Sequence, residues 1–507
     1  MLGLKVRDFA IWIVYCVMLA MVVPWHEPWS NEAQAWLLAR ELSIPKLLLY
    51  YLRYEGHPAL WYLVLWGPAH LHWSYAAMSW ISAAIAAAGI YVLLRFSPFP
   101  FYLRALLPFT YFLAYQYGVV ARSYVLFPLL CFLIAHVYRL AKPRPVPMAV
   151  LLALLANVSV HGTLVACALA VAYCWELFRR RRTAAISGWG VAAGAALFVA
   201  SLVLVGITIR PPSDFAIVTS PVLSRVLHVL HWGAGAVEQS QAATPPVSQP
   251  LGVAPIAVPP RPHGVLAHLR ELPRVLSYAV STHRLFSMAL YLVAAVYLCM
   301  RKQFLLLGPL AVLTLFLVFV YAREWHLGQL WIVLLMVLWA AWDEEAKPGR
   351  FGLQTALAGL LALASLLQLP WTWDAIAYDR QSQYDPSREV AAYLHTVPAG
   401  LRIAGFGDAH TILPYFSSNI FFNLPTAYVF NGRQTGPYAD FAAALAAHPD
   451  MLVIAVAVWS GDTSMIAQAE LSGYYETHRF CGAMFLPNVE RQEICQVVLE
   501  PESAPVK

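Results

Sequence analysis

Charge is what this sequence has least of: Asp, Glu, Lys and Arg together make up 12% of its 507 residues, while 60% are hydrophobic. That balance, with a mean hydropathy of +0.61, excludes an ordinary soluble globular domain. Three signatures are missing as well. There is no Gly-rich phosphate loop ending in Lys-Ser or Lys-Thr, no Gly-x-Ser-x-Gly elbow and no Cys-x-x-Cys pair, which argues against an ATP-driven pump or a serine hydrolase. The net charge of +6 is explained by membrane topology, so no nucleic-acid partner is expected.

What is present in quantity is apolar run and aromatic side chain. Apolar stretches of membrane-spanning length recur through the first 370 positions, and the 18 Trp and 26 Tyr fit interfacial belts, where a ring has one edge among headgroups and one in hydrocarbon. Basic residues gather at Arg95 to Arg104, Arg139 to Arg144, Arg179 to Arg182, Arg301 with Lys302, and Lys347 to Arg350, each beside an apolar run. By the positive-inside rule these mark cytoplasmic turns. The first segment, Phe9 to Trp25, reads as an uncleaved anchor. Spans follow at 76–94, 104–120, 122–140, 147–160, 162–178, 183–208, 286–300, 303–321, 327–342 and 351–370. The expectation is a polytopic α-helical protein with about eleven full crossings, the N-terminus inside and the C-terminus outside. Residues 58–71 are too few for the roughly 20 that a span needs, so they are expected to enter only part of the bilayer.

This assignment gives a transmembrane domain over 1–370, with exterior loops at 26–57 and 209–285, and an extracytoplasmic α/β domain over 371–507. The long loop holds a Pro-rich stretch, Thr244 to Pro262, expected to lack regular structure. In the C-terminal domain, Ser387 to His395 and Tyr438 to Ala447 read as helices, Arg402 to Phe406 and Met451 to Val456 as buried strands. Five of the seven cysteines fall in predicted spans; Cys481 and Cys495 lie outside, where either a disulfide or a reduced pair fits.

In so uncharged a chain the exterior charges carry information. The loop after the first helix, His26-Glu27-Pro28-Trp29-Ser30-Asn31-Glu32-Ala33-Gln34-Ala35-Trp36, leads to Tyr54-Glu55-Gly56-His57-Pro58, placing Glu27, Glu32 and Glu55 at a bilayer boundary. A partly desolvated carboxylate there is a candidate general base. Glu32 has an equally good structural reading, since it follows Ser30 and Asn31 and would complement the dipole of a helix running through Arg40. Arg122 and Arg323 are cations on the side where cations are sparse; each fits a lipid phosphate through its planar fork, or ordinary headgroup snorkelling. Arg323-Glu324-Trp325-His326 sets a fork donor, an acid, a ring and an imidazole side by side. His161, at a predicted exterior helix end, is a weak metal or anion candidate.

In order, these elements resemble the polytopic GT-C glycosyltransferases of the protein O-mannosyltransferase and aminoarabinose-transferase type, the family-39-like group. The resemblance covers roughly residues 1–370 and rests on Asn31-Glu32-Ala33-Gln34-Ala35-Trp36, Tyr54-Glu55-Gly56-His57-Pro58, Ala121-Arg122-Ser123-Tyr124-Val125-Leu126, and Arg323 to Gly328. It implies a polyprenyl-phosphate sugar donor and inverting transfer to a lipid, glycan or protein acceptor on the exterior face. By the same resemblance the lipid phosphate is held by Arg323, His326, Arg122 and Tyr124, the active-site loop includes Glu55, His57 and Trp36, and a divalent metal can sit on Glu55 with a histidine such as His161. One position departs from the family: relatives carry Asp-Glu where this chain has Asn31-Glu32. An amide is no base at neutral pH, which shifts that role to Glu32 or Glu27. The rival classes are a non-catalytic scaffold, which would tolerate neutralising all three loop acids, and a transporter or lipid flippase, which would be expected to retain ionisable groups at mid-span; such charge is nearly absent, and Glu176 lies near a helix end.

Overall fold

The computed structural model describes residues 4–182, 186–212, 269–344, 352–429, 441–458, 463–487, 489 and 491–502. The Pro-rich stretch Thr244 to Pro262, most of the 209–285 loop and the basic run Lys347 to Arg350 lie outside the described residues. The protein is mostly helical, with several apolar helices long enough to cross a membrane and a small C-terminal sheet. The long apolar helices are Ala77–Phe96, Val160–Arg180, Gly188–Ile209, Glu324–Ala341 and Leu353–Gln381. Shorter ones, among them Val6–Val22, Leu126–Arg139, Pro145–Ala156, Arg284–Met300 and Leu307–Phe319, complete the bundle.

Apolar helices occur at both the centre and the rim. Glu324–Ala341 is apolar all round and sits at the centre, nearly every residue buried, whereas Gly188–Ile209 is just as apolar and largely exposed on the rim. An apolar helix with an exposed surface is what a lipid-facing position requires. Residues 58–71 form one 11-residue helix, Leu60–His70.

The predicted span at 104–120 is not one helix. The chain runs as Phe101–Leu106, a 3-10 turn Leu107–Phe109 and a π-turn Phe112–Gln116. Pro108 removes a backbone donor and crowds the preceding turn, and Gly118 approaches the Ala114 carbonyl so closely that a Cβ would lie 2.5 Å from it. Apolar content alone conceals such a break. The line drawn after residue 370 falls inside Leu353–Gln381, which runs on through Pro370.

The turns collect at two ends. At one, Arg139 reaches the Trp342 carbonyl and Glu344, Arg180 the Leu140 carbonyl, Arg179 the Lys302 carbonyl, and Arg301 pairs with Asp343 at 2.7 Å. At the other, the acidic loop, the 121–124 turn, the start of Val160–Arg180 and the 323–326 turn meet.

The C-terminal sheet has the order β1-β2-β4-β3. β1 (Ile403–Phe406) runs parallel to β2 (Met451–Ala457); β4 (Gln492–Pro501) is antiparallel to both β2 and β3 (Tyr474–Met484). Its core strands are buried on both faces: Val390, Leu394 and Ile412 cover one, Leu445, Ile466 and Ala469 the other. Cys481 stands opposite Cys495 across β3 and β4, and the two form a disulfide.

Candidate functional site

The Ser30–Glu41 helix starts where the acidic loop turns back over the bundle. Its N-cap is Trp29, one residue earlier than Ser30, and Glu32 at the third helical position accepts the Trp29 backbone N–H at 2.8 Å. The structural reading of Glu32 is therefore correct as far as it goes. The other carboxylate oxygen accepts the Ala121 N–H at 2.6 Å, tying the helix start to the residue beside Arg122.

Glu32 and Arg122 line one small pocket together with Asn31, Gln116, Trp325 and Tyr384. Arg122 lies over two rings, its guanidinium carbon 5.0 Å from the Trp325 centroid and 5.3 Å from that of Tyr124. Among the described residues it makes no ion pair with a carboxylate. A guanidinium held by ring faces keeps its N–H edge for a ligand.

Behind Arg122 lies a histidine cluster. The His326 ring is 4.5 Å from that of His161 and 5.4 Å from that of Tyr124, whose own ring is 5.9 Å from His57. His326 Nδ1 accepts the Arg323 backbone N–H at 3.2 Å. His326 Nε2 accepts the Trp325 indole N–H at 3.1 Å and lies 2.7 Å from Tyr124 Oη. His57 Nδ1 and His161 Nε2 are buried without a hydrogen-bond partner among the described residues. Burial, and then the Arg122 charge, push His57 down to about 4, so its imidazole is neutral at physiological pH.

The remaining sequence candidates are dispersed. Glu27 faces the C-terminal domain, its Oε1 3.6 Å from Arg388 Nε, and does not line the pocket; burial pushes it up to about 7. Trp36 is one turn deeper than Glu32, buried against Tyr75 at 6.0 Å. It is a core residue because the face that carries Glu32 continues straight into the bundle. Glu55 is half-buried near Tyr428, whose phenol is pushed up by burial and by the Asp408 and Glu55 charges. Arg323 caps the Glu324–Ala341 helix and is not in the pocket wall. Among the described residues the one convergent group of three or more candidate ligands is Cys481, Glu493 and Cys495, whose thiols are bonded to each other.

The C-terminal domain roofs the pocket with Tyr384, Met484 and Leu486. It is fastened to the acidic loop by Arg388, which donates to the His26 carbonyl at 3.0 Å, and by Tyr428, which donates to the Ser30 carbonyl at 3.1 Å. Sequence reasoning missed Gln116, Tyr384, His26 and Asp379. His26 stands in the quoted loop, but nothing in the sequence connects it with Asp379, 353 residues away. The chain matches no protein-family model and no curated protein.

Proposed function

We propose that the protein is a GT-C-type glycosyltransferase that moves a sugar from a polyprenyl-phosphate donor to an acceptor hydroxyl on a lipid, glycan or protein. The observation that carries the reading is the pairing, in one pocket roofed by the C-terminal domain, of a buried carboxylate, Glu32, with an arginine, Arg122, that has no carboxylate partner among the described residues. The sorting of turns into two ends supports about eleven crossings, with the pocket at the extracytoplasmic face of a plasma membrane of bacterial inner-membrane type.

In this reading Glu32 takes the acceptor proton, the acceptor oxygen attacks the anomeric carbon from the side opposite the phosphate, and the configuration inverts. The lipid phosphate departs with the bonding electrons onto Arg122, with Tyr124 and His326 behind it. The phosphate linkage supplies the driving force, so no ATP is used.

The test is turnover of purified protein on a panel of polyprenyl-phosphate sugars, comparing wild type with Glu32→Gln. Wild type is expected to release polyprenyl phosphate and the variant to lose about 10²-fold or more in kcat, the contribution of a positioned base. No release from any donor, together with transport of lipid or solute in vesicles, would overturn the reading.

A further inference from the structure

Glu32 ends a buried row of ionisable groups drawn from three distant parts of the chain. Tyr115 Oη, on the π-turn, donates to Asp379 Oδ1 at 2.8 Å. Asp379 Oδ2, on the outer end of Leu353–Gln381, lies 3.0 Å from His26 Nδ1, and His26 Nε2 lies 3.5 Å from Glu32 Oε2. The side chains of His26, Glu32 and Asp379 are all fully buried. The imidazole is fixed edge-on between two rings, 4.7 Å from Tyr384 and 6.0 Å from Tyr115. Apart from Glu32, His26 Nε2 has no polar partner among the described residues.

We infer that His26 and Asp379 are positioning residues for Glu32, together forming a carboxylate–imidazolium–carboxylate array that makes Glu32 a proton acceptor. The inference rests on the transferase reading above.

The argument is one of charge. Two carboxylates around one imidazolium leave a single net negative charge on three buried side chains, and buried charge is costly. When Glu32 takes the proton from the acceptor O–H, the array becomes neutral. The electron pair of that O–H forms the bond to the anomeric carbon, and the bond from that carbon to the phosphate oxygen breaks with its pair leaving on the lipid phosphate. Burial by itself would lower His26, but the Asp379 and Glu32 charges raise it to about 10, so the ring holds both protons at neutral pH. The other groups facing Glu32 are Tyr75, Tyr384, Asp385 and, across the pocket, Arg122. Orientation of Glu32 does not need this array, because the Trp29 and Ala121 N–H groups already fix both oxygens. What His26 and Asp379 add is charge.

Asp379→Asn is the near-isosteric test. The expected result is a kcat about tenfold lower or more, little change in KM for donor, and an acid limb of the kcat profile moved to lower pH, because removing one negative charge makes the array a weaker proton acceptor. Asp379→Glu should restore the limb. A lowered kcat with an unmoved limb in Asp379→Asn would assign Asp379 a purely structural role and overturn the inference while leaving the transferase reading intact. If wild type turns over no donor, the reading fails separately. The array is then judged by ¹⁵N NMR of histidine-labelled protein, with His26 assigned by difference against His26→Gln. Both ring nitrogens protonated at pH 8 supports the array, and a neutral ring overturns it.

Discussion

At the scale of single residues, the charges that matter are the ones with no cheaper explanation. Several arginines at the opposite end of the bundle are accounted for by a carbonyl or carboxylate, as Arg139, Arg180 and Arg301 are. Arg122 is held by the Trp325 and Tyr124 rings instead. Replacement by Lys keeps the positive charge but loses the planar fork and stacks less well on rings, so it separates a phosphate-binding role from a merely electrostatic one. Arg122→Lys is expected to raise KM for donor about tenfold or more, corresponding to one charge-assisted hydrogen bond of about 1.5–3 kcal/mol, with a smaller change in kcat. Initial-rate kinetics over a donor titration check this; an unchanged KM would remove Arg122 from the phosphate site. Glu32→Gln has to be interpreted with its structural duty in mind. Gln offers one acceptor oxygen where two backbone N–H groups are now met, and an orphaned buried donor costs about 1–3 kcal/mol. Its thermal midpoint should be recorded beside its kcat.

At the scale of elements, the pocket depends on a close approach that only glycine allows. A Cβ on Gly328 would fall 2.0 Å from the Phe112 ring, where the central Glu324–Ala341 helix passes the π-turn bearing Tyr115 and Gln116. Gly328→Ala is expected to destabilise by about 1–3 kcal/mol, the usual cost of overpacking, and to lower kcat by displacing Gln116 in the pocket wall and Tyr115 behind Asp379. Adding Phe112→Leu should recover part of the stability, measured as a thermal midpoint in detergent; equal midpoints for single and double variants would count against the contact as the cause. Helices of this kind were legible in the sequence because apolar run length and basic flanks specify them directly. The broken stretch at 101–116 was not, since Pro108 and the Gly118 approach act locally beneath an unbroken apolar pattern. In the C-terminal domain the buried strands β1 and β2 were legible as apolar runs, whereas β3 and β4 were not. β3 is largely exposed and polar, from Tyr474 through Glu476, His478 and Arg479, so it carries no hydrophobic signature, and its place is set by pairing with β4. The site divides in the same way. Glu32 and Arg122 stood out because charge is rare, but His26 and Asp379 meet only through tertiary packing, and proximity to a motif misplaced Glu27 and Trp36.

At the scale of the whole molecule, buried ionisable groups gather where the C-terminal domain closes on the bundle, and this sets how stability varies with pH. Between about pH 4 and 7 the contributions oppose. Glu27 and Asp385, pushed up by burial from 4.5 and 3.8 to about 7, disfavour the fold as pH rises through that range. His57 and His410, pushed down by burial from 6.5 to about 4 and about 3, disfavour it as pH falls. Glu27 and Asp385 complete their titration by about pH 8, and His26 still holds its proton above that. Burial opposes its charge, but Asp379 and Glu32 raise it from 6.5 to about 10. A folded-state value above the unfolded one means that the folded state binds the proton more tightly; the stabilisation is complete below pH 6.5 and is lost as pH rises toward 10. The thermal midpoint of wild type is therefore expected to fall steadily from pH 7 to pH 10. His26→Gln should start lower, because it leaves two buried carboxylates without their cation, yet fall less steeply over the same interval. The slope is the measurement, since a variant that is only damaged keeps the wild-type slope at a lower midpoint. Parallel lines for the two proteins would mean that His26 is not the proton held between Asp379 and Glu32.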